Sequence, residues 1–413
     1  MRIAGWVEDI RPLGSLVFLT IRDAHGVAQA VFPKAEVAPD IFDRARRVPR
    51  QSCIMITGTV QGSKAKALAV EVRGQNLMVL NEAVHPLPID PTGRVKSSID
   101  LRLDARALDL RTPRVAAVFR IRHTALQSLR RAFIEEGFLE VNTSRIIGAA
   151  AEGGANLFGF DHFGRAAYLA QSPQLYKEQL TLGLDRVFEI GNFFRAEKSA
   201  TRRHLSEFTS IDMEMAFADE YDVMGVAERV FVKLFRDVQK ENSSELEILR
   251  HRVRIPEAPF PRVTYAQLVQ ELQDTGMSIQ LGDDLTDSLL QRAAKKHRQF
   301  YWILEWPIKL KPFYIARSAV DPELSRGFDL QYGALELASG GMRVSSGVEL
   351  RQRLVEAGLD PTSFASHLRT YDWGMPPHAG WAAGLDRTTM VLAGQSNIRE
   401  AILYPRDRFR LTP

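Results

Sequence analysis

Arg195 and Glu197 stand two apart in the stretch Phe194-Arg195-Ala196-Glu197, and Arg202, Arg203, His204 and Phe208 follow before Asp212 and Glu214. A guanidinium can fork onto a phosphate, a carboxylate can accept from an adenine amino group, an imidazole can reach outer phosphates, and a phenyl ring can stack on a base. The same alternation of charges with an aromatic also describes an exposed charged hairpin, because such residues are common at surfaces. The chain holds no GxxxxGK[ST] loop and no GxGxxG after a strand, so a nucleotide site here would need another kind of cradle.

Further along, Gly380 to Arg387 reads GWAAGLDR, a glycine-rich strand running into a helix that opens near Arg387. Gly384 would let a ligand approach the backbone, and Arg387 could stack on a base or grip a phosphate; a packed strand-to-helix junction is the alternative. Between these stretches, LELASGGMR at Leu335 to Arg343 sets Glu336 and Ser339 three apart, both oxygen-bearing and suited to Mg²⁺, with Arg343 as a fork for a carboxylate. AEGGANLF from Ala151 to Phe158 and QSPQLYK from Gln171 to Lys177 complete the set.

Several elements must position these residues. Leu16 to Phe32 alternates, breaks at Asp23 to Gly26 and resumes at Val27, which predicts a hairpin. With β-rich runs at Cys53 to Val60 and Ala67 to Val79, the first ~80 residues have the size of an oligonucleotide-binding barrel. Four prolines between His85 and Pro113 mark a hinge segment. Val118, Ile121, Ala125, Leu129 and Phe133 then follow helical spacing, and Gly137 stands where a C-cap glycine would end the helix. Short β-like runs extend to Phe217, a helical stretch covers Val223 to Val238, and strand-like runs return from Phe300 to Leu337. The expectation is α+β: a barrel over 1–82, a hinge over 83–112, and a unit over 113–413 built on a largely antiparallel sheet.

Composition narrows the class. The 413 residues are 45% hydrophobic, 9% aromatic and 25% charged, without an apolar run near the roughly 18 residues of a membrane helix. One cysteine, Cys53, cannot close an internal disulfide or build a Cys-rich zinc site, and the N-terminus lacks the layout of a secretion signal, so a reducing, cytoplasmic setting is expected. Residues 1–80 hold 11 basic and 7 acidic side chains while the rest balances at 43 each, so the net charge of +4 sits on the first fifth. Arg44, Arg46, Arg47 and Arg50 form a patch suited to a polyanion such as nucleic acid, or else a solvated basic loop.

Taken in order, the segments resemble a class II aminoacyl-tRNA synthetase, most closely the aspartyl type of archaea. FRAE with HLSEF resembles the family's second signature motif and GLDR its third; QSPQLYK, KPFY at Lys311 to Tyr314, FDL at Phe328 to Leu330, GMPPH at Gly374 to His378 and the ending NIREAILYPRDRFRLTP extend the likeness over nearly the whole chain. The resemblance implies that Arg195, Glu197, His204, Phe208, Gly384 and Arg387 hold ATP, with Arg195 and Arg387 catalytic, and that Glu336 and Ser339 hold Mg²⁺. It implies that Glu152 and Gln174 bind the α-amino group of L-aspartate, that Lys177 and Arg343 pair with its side-chain carboxylate, and that Asp212 orients Lys177. Ser339 belongs to the same substrate wall. Two fixed cations favour a carboxylate over an amide, because asparagine would leave charges desolvated and unpaired. The implied reaction is in-line attack of the aspartate α-carboxylate on the ATP α-phosphate, then transfer of the aspartyl group to tRNA, with catalysis by positioning and charge neutralisation.

In the barrel, Arg11, Phe18 and Gln29 match positions where the family reads the anticodon, Phe18 stacking on a base and Gln29 bonding its edge. Without the resemblance, alternation favours Phe18 as a barrel-core residue. A homodimer is implied by likeness alone. The chain departs from the family at Ser144, where proline is usual, and at Ser345 and Ser346, where a His-Arg pair is usual. Three rivals stay open: an asparaginyl-tRNA synthetase, not expected to keep Lys177 with Arg343; a non-catalytic RNA-binding paralogue; and an amide-forming relative, which usually lacks the barrel. Whether tRNA(Asn) is charged along with tRNA(Asp) is left open by the residues.

Overall fold

Period-two patterning turns Val17, Leu19 and Ile21 inward along one strand, where they are buried with Val7, Ile54, Ile56 and Leu77. In the computed structural model, which describes residues 1–63, 69–148, 157–196 and 201–413, this is the interior of a closed barrel. Its strands are β1 (Arg2–Leu13), β2 (Leu16–Arg22), β3 (Val27–Pro33), β4 (Cys53–Gly62) and β5 (Val70–Asn81), in the order β1-β2-β3-β5-β4. The β2–β3 hairpin turns where Asp23 accepts from the backbone N–H groups of His25 and Gly26 at 2.8 and 2.9 Å. Those amide donors, His25 first, hold the Asp23 carboxyl below its usual range.

The arginine patch is not a loop. Arg44, Arg46 and Arg47 occupy the last turn of a helix, Pro39–Arg47, whose Phe42 and Ala45 are buried against the barrel core. Cations there oppose the partial negative charge of the helix C-terminus, and the run lacked the length for its period to stand out. Phe18 is not a core residue either. It lies on β2 between Val17 and Leu19 and so faces away from the interior, half-buried, in the opposite phase of the same alternation.

The chain divides into two units, Met1–Asp109 and Leu110–Pro413. Within the segment expected to be a hinge, short helices at Ile99–Asp104 and Arg106–Asp109 end the first unit, and Arg102 and Arg106 both bond Asp109, at 2.9 and 2.8 Å.

In the second unit the expected helix runs Pro113–Glu135, burying Val118, Ile121, Ala125, Leu129 and Phe133 along one face. Gly137, at φ +81°, ends it: Phe138 N–H reaches the Phe133 carbonyl at 2.9 Å, a closure that needs a left-handed residue. Strand β6 (Leu139–Glu140) follows. A small sheet, ordered β7-β9-β8, pairs β7 (Ile146–Ile147), β8 (Gly159–His162) and β9 (Arg165–Leu169). The main sheet adds β10 (Arg186–Phe194), β11 (Glu207–Ala216), β12 (Arg262–Thr264), β13 (Phe300–Leu304), β14 (Gly327–Tyr332), β15 (Leu335–Met342) and β16 (His378–Gly384). Its order is β12-β13-β14-β15-β16-β11-β10-β6, antiparallel except at the β6–β10 and β12–β13 pairs. Helices Pro113–Glu135 and Glu220–Glu241 cover one face; the second starts at Asp219 with a capping box to Asp222. Trp381 of β16 packs there beside Phe133 and donates to the Val223 carbonyl at 3.1 Å. The expected α+β fold, a barrel and an antiparallel sheet with flanking helices, is the observed one.

Candidate active site

Strand β11 separates two environments by parity. Ile211, Met213 and Met215 enter the helix-covered core, while Ser210, Asp212 and Glu214, two apart, turn to the other face. Three consecutive polar side chains buried on one strand face require partners. The helix Gln174–Leu184 supplies some: Gln174, Lys177, Glu178 and Thr181, at i, i+3, i+4 and i+7, form a buried polar stripe.

Lys177 Nζ lies 3.1 Å from Asp212 Oδ1, 3.5 Å from Glu214 Oε2 and 3.3 Å from the Trp381 carbonyl oxygen. Arg343 approaches Glu214 from the other side, Nε to Oε1 at 2.8 Å and Nη2 to Oε2 at 3.1 Å. Ser210 Oγ donates to Asp212 Oδ2 at 2.5 Å. Both cations are 2% exposed and Glu214 is fully buried, so two positive and two negative groups balance each other without solvent. Burial works against the Arg343 charge, but Glu214, close and bonded, raises its pKa and keeps it ionised. The Tyr314 ring covers the guanidinium, 5.5 Å from Cζ to centroid.

Gln174, Asp212 and Arg343 stand in the wall of a cleft of about 370 Å³; Lys177 sits behind Asp212. Gln174 Nε2 donates to Glu178 Oε1 at 2.6 Å. Glu178 in turn receives Tyr371 Oη at 3.2 Å and faces His367 Nε2 at 3.3 Å and His378 Nε2 at 3.7 Å. Burial pushes its carboxyl up, and the two imidazoles pull it well below the usual range.

The same cleft is lined by Arg195, His204, Phe208, Gly384 and Arg387. Arg195 leaves the end of β10, and its Cζ lies 5.1 Å from the Phe208 centroid across the hairpin. His204 Nδ1 pairs with Thr201 Oγ1 at 2.6 Å. Gly384 caps the helix Leu385–Ala393. The nearest atoms a Cβ on it would meet belong to Arg387, at 3.7 Å, an ordinary van der Waals contact, so packing does not itself demand glycine here. Arg387 Nη1 donates to the Glu336 carbonyl oxygen at 3.0 Å.

Glu336 and Ser339 are an odd number apart on one strand, which by alternation would put them on opposite faces. They share the cleft wall because β15 carries an extra residue: Leu330 pairs with Ala338 and Gln331 with Glu336, leaving Leu337 unmatched. Burial and the neighbouring Asp329 carboxylate push the Glu336 carboxyl up, against Arg387, Lys311 and Arg195. Asp329 itself is clasped by Lys311 Nζ at 2.7 and 2.8 Å. Among the described residues no group of three or more His, Cys, Asp or Glu could hold a metal ion. A carboxylate and a hydroxyl on one wall, with a repulsion that a cation would relieve, suit Mg²⁺, which takes few protein oxygens and keeps its waters.

Glu152 and Glu197 lie outside the described residues. In the first unit, Arg11, Phe18 and Gln29 line one groove on the barrel surface, of about 520 Å³. Arg11 Nη2 donates to Gln29 Oε1 at 3.0 Å, and Gln29 Nε2 donates to Glu71 Oε2 at 2.7 Å.

Glu214 ends the charged stretch without a role in the sequence, and Glu178 and Ser210 stand outside the motifs. Parity along β11 and the four-residue step from Gln174 are the signals for these three, while Asp329 lies inside the FDL motif and gains its role from the pairing with Lys311. Ser346, which departs from the family pattern, accepts from Glu349 N–H at 3.4 Å as N-cap of the helix Gly347–Glu356, while Ser345 is exposed.

Residues 98–408 match the family model of class II tRNA synthetases (D, K and N), and residues 1–80 match that of an OB-fold nucleic acid binding domain. Aspartate–tRNA(Asp/Asn) ligases of Methanococcus vannielii and Methanothermobacter thermautotrophicus are 42% and 43% identical to it over 412 residues, 100% of this chain and 94% of theirs. Asparaginyl-tRNA synthetase from Pyrococcus horikoshii complexed with asparaginyl-adenylate has a TM-score of 0.96 at 32% identity, covering 100% of this chain and 96% of that one. A putative aspartyl-tRNA synthetase from Leishmania major scores 0.91 at 27% identity, covering 100% and 92%.

Proposed function

The chain belongs to the class II tRNA synthetases (D, K and N), and from that premise we propose that it is an aspartate–tRNA ligase, acting on tRNA(Asp) and also on tRNA(Asn). The observation that carries the choice of amino acid is the buried set Lys177–Asp212–Glu214–Arg343, of which Asp212 and Arg343 stand in the wall of the cleft that Arg195 and Arg387 also line. A guanidinium held in one plane there matches a carboxylate better than a freely rotating lysine would.

ATP enters the cleft with its adenine between Phe208 and Arg387, its α-phosphate at Arg195 and its outer phosphates toward His204; Glu197 accepts from the adenine amino group. Glu336 and Ser339 would hold Mg²⁺, which would supply charge neutralisation at the phosphates. Gln174, kept in orientation by Glu178, and Glu152 take the α-amino group of aspartate. Arg343 takes its side-chain carboxylate, and Asp212 and Glu214 hold Lys177 directly behind. The α-carboxylate oxygen attacks the α-phosphorus in line, pyrophosphate leaves, and aspartyl-adenylate forms. The ribose hydroxyl at the tRNA 3′ end then attacks the carbonyl carbon, its proton passing to a phosphate oxygen of the departing adenosine monophosphate. Neither step needs a protein general base; alignment and charge neutralisation lower both barriers.

On the barrel, Phe18 stacks on an unpaired anticodon base and Gln29, fixed between Arg11 and Glu71, bonds its edge. Two copies of the chain form the working unit, in the cytoplasm; among the described residues no helix is long and apolar enough to cross a membrane.

ATP–pyrophosphate exchange stimulated by aspartate and by asparagine tests the assignment. Aspartate is expected to be preferred, and faster exchange with asparagine would replace this reading with the second one. That second reading, an asparaginyl enzyme, is favoured by one observation: Asp212 and Glu214 leave the wall without net charge, as suits a neutral side chain.

A further inference from the structure

Glu214 is buried completely and faces both Lys177 and Arg343, yet the mechanism above gives it no part beyond holding Lys177. We propose that Glu214 is a positioning residue that determines selectivity between aspartate and asparagine, by holding the Arg343 fork in the one orientation that offers two parallel donors to a carboxylate. The inference rests on the aspartate-activating reading.

Arg343 meets Glu214 through Nε and Nη2, which fixes the guanidinium plane and leaves its outer edge, with Nη1, for a ligand. Tyr314 lies against the same group at 5.5 Å and restricts tilting. The carboxylate is fixed in turn. Its Oε2 faces Lys177 Nζ at 3.5 Å, and across the β11–β16 pair Glu214 opposes Gly380. A Cβ on Gly380 would fall 2.2 Å from Glu214 Oε2, so the sheet leaves room for this carboxylate only because glycine stands opposite. Of the four charged groups, Glu214 alone bonds to Arg343, while Lys177 has Asp212 and the Trp381 carbonyl besides.

The two candidate substrates depend on the fork differently. A carboxylate needs two donors in register, whereas the asparagine amide offers one oxygen and needs one. Releasing the fork therefore harms aspartate more than asparagine.

The test uses the full chain in ATP–pyrophosphate exchange with each amino acid. In Glu214→Gln, which keeps the volume, the ratio of kcat/KM for aspartate to that for asparagine is expected to fall at least tenfold, mainly through KM for aspartate, with KM for ATP unchanged. Combining it with Arg343→Lys should add little further loss of the ratio, since both act through the same fork. Should Glu214→Gln not fold, Glu214→Asp keeps the ion balance while withdrawing the carboxylate by one methylene, and the same fall in the ratio is expected. An unchanged ratio with both kcat/KM values reduced together, or full additivity with Arg343→Lys, would overturn the inference. A wild-type chain that does not prefer aspartate would instead overturn the reading beneath it.

Discussion

Arg122 Nη1 lies 2.6 Å from Asp386 Oδ1, so the helix Pro113–Glu135 is bonded directly to the residue preceding Arg387. The same guanidinium donates to Thr209 Oγ1 at 2.9 Å, and Thr209 N–H donates to Asp386 Oδ2 at 2.9 Å, closing a triangle between helix, β11 and the helix Leu385–Ala393. Burial raises the Asp386 carboxyl above its ordinary value, with Arg122 opposing. Arg122→Met would strand a buried carboxylate and is expected to cost about 3–5 kcal/mol. A group whose pKa is raised on folding supports the fold below its unfolded value and ceases to do so as pH climbs through the folded value. Hence the melting-temperature deficit of Arg122→Met should be larger at pH 8 than at pH 5, and a deficit independent of pH would exclude Asp386 as its source.

Arg343→Lys preserves the charge and removes the fork. Exchange with aspartate is expected to lose on the order of a hundredfold in kcat/KM, because a point cation cannot satisfy both oxygens and Glu214 together. KM for ATP should stay as it is. If aspartate kinetics are also unaltered, Arg343 does not touch the substrate.

The bulge at Leu337 makes one wall of Glu336 and Ser339. Removing the charge at one position, in Glu336→Gln, or the oxygen at the other, in Ser339→Ala, should raise the Mg²⁺ concentration for half-maximal exchange by about tenfold, the equivalent of roughly 1.4 kcal/mol. Titrating exchange with Mg²⁺ at saturating ATP reads this out; superimposable curves for wild type and both variants would remove the pair from the metal site.

Phe18 faces away from the barrel core, so Phe18→Ala should leave the melting temperature nearly unchanged. Loss of a stacked base weakens tRNA binding by about 1–3 kcal/mol. Aminoacylation should then show a higher KM for tRNA while exchange without tRNA is unaffected. A variant that instead melts early would mark Phe18 as a packing residue.

Much was legible in the residues. Alternation around Asp23 to Gly26 specified a hairpin, the 3.6-residue spacing from Val118 to Phe133 with Gly137 beyond it specified a capped helix, and the ordered motifs specified the family. These are local patterns, and local stereochemistry suffices to produce them. The helix carrying Arg44 to Arg47 is not legible in the sequence because nine residues hold too few turns for a period to stand out. What folding alone decided was which side chains converge. Lys177, Glu214 and Arg343 come from three distant segments, and only the sheet order that sets β11 beside β16, and β16 beside β15, brings them to one carboxylate. Likewise the extra residue in β15, invisible to alternation, turns Glu336 toward Ser339. Strand pairing is a non-local choice, settled by which faces can be buried together, and no window of sequence contains it.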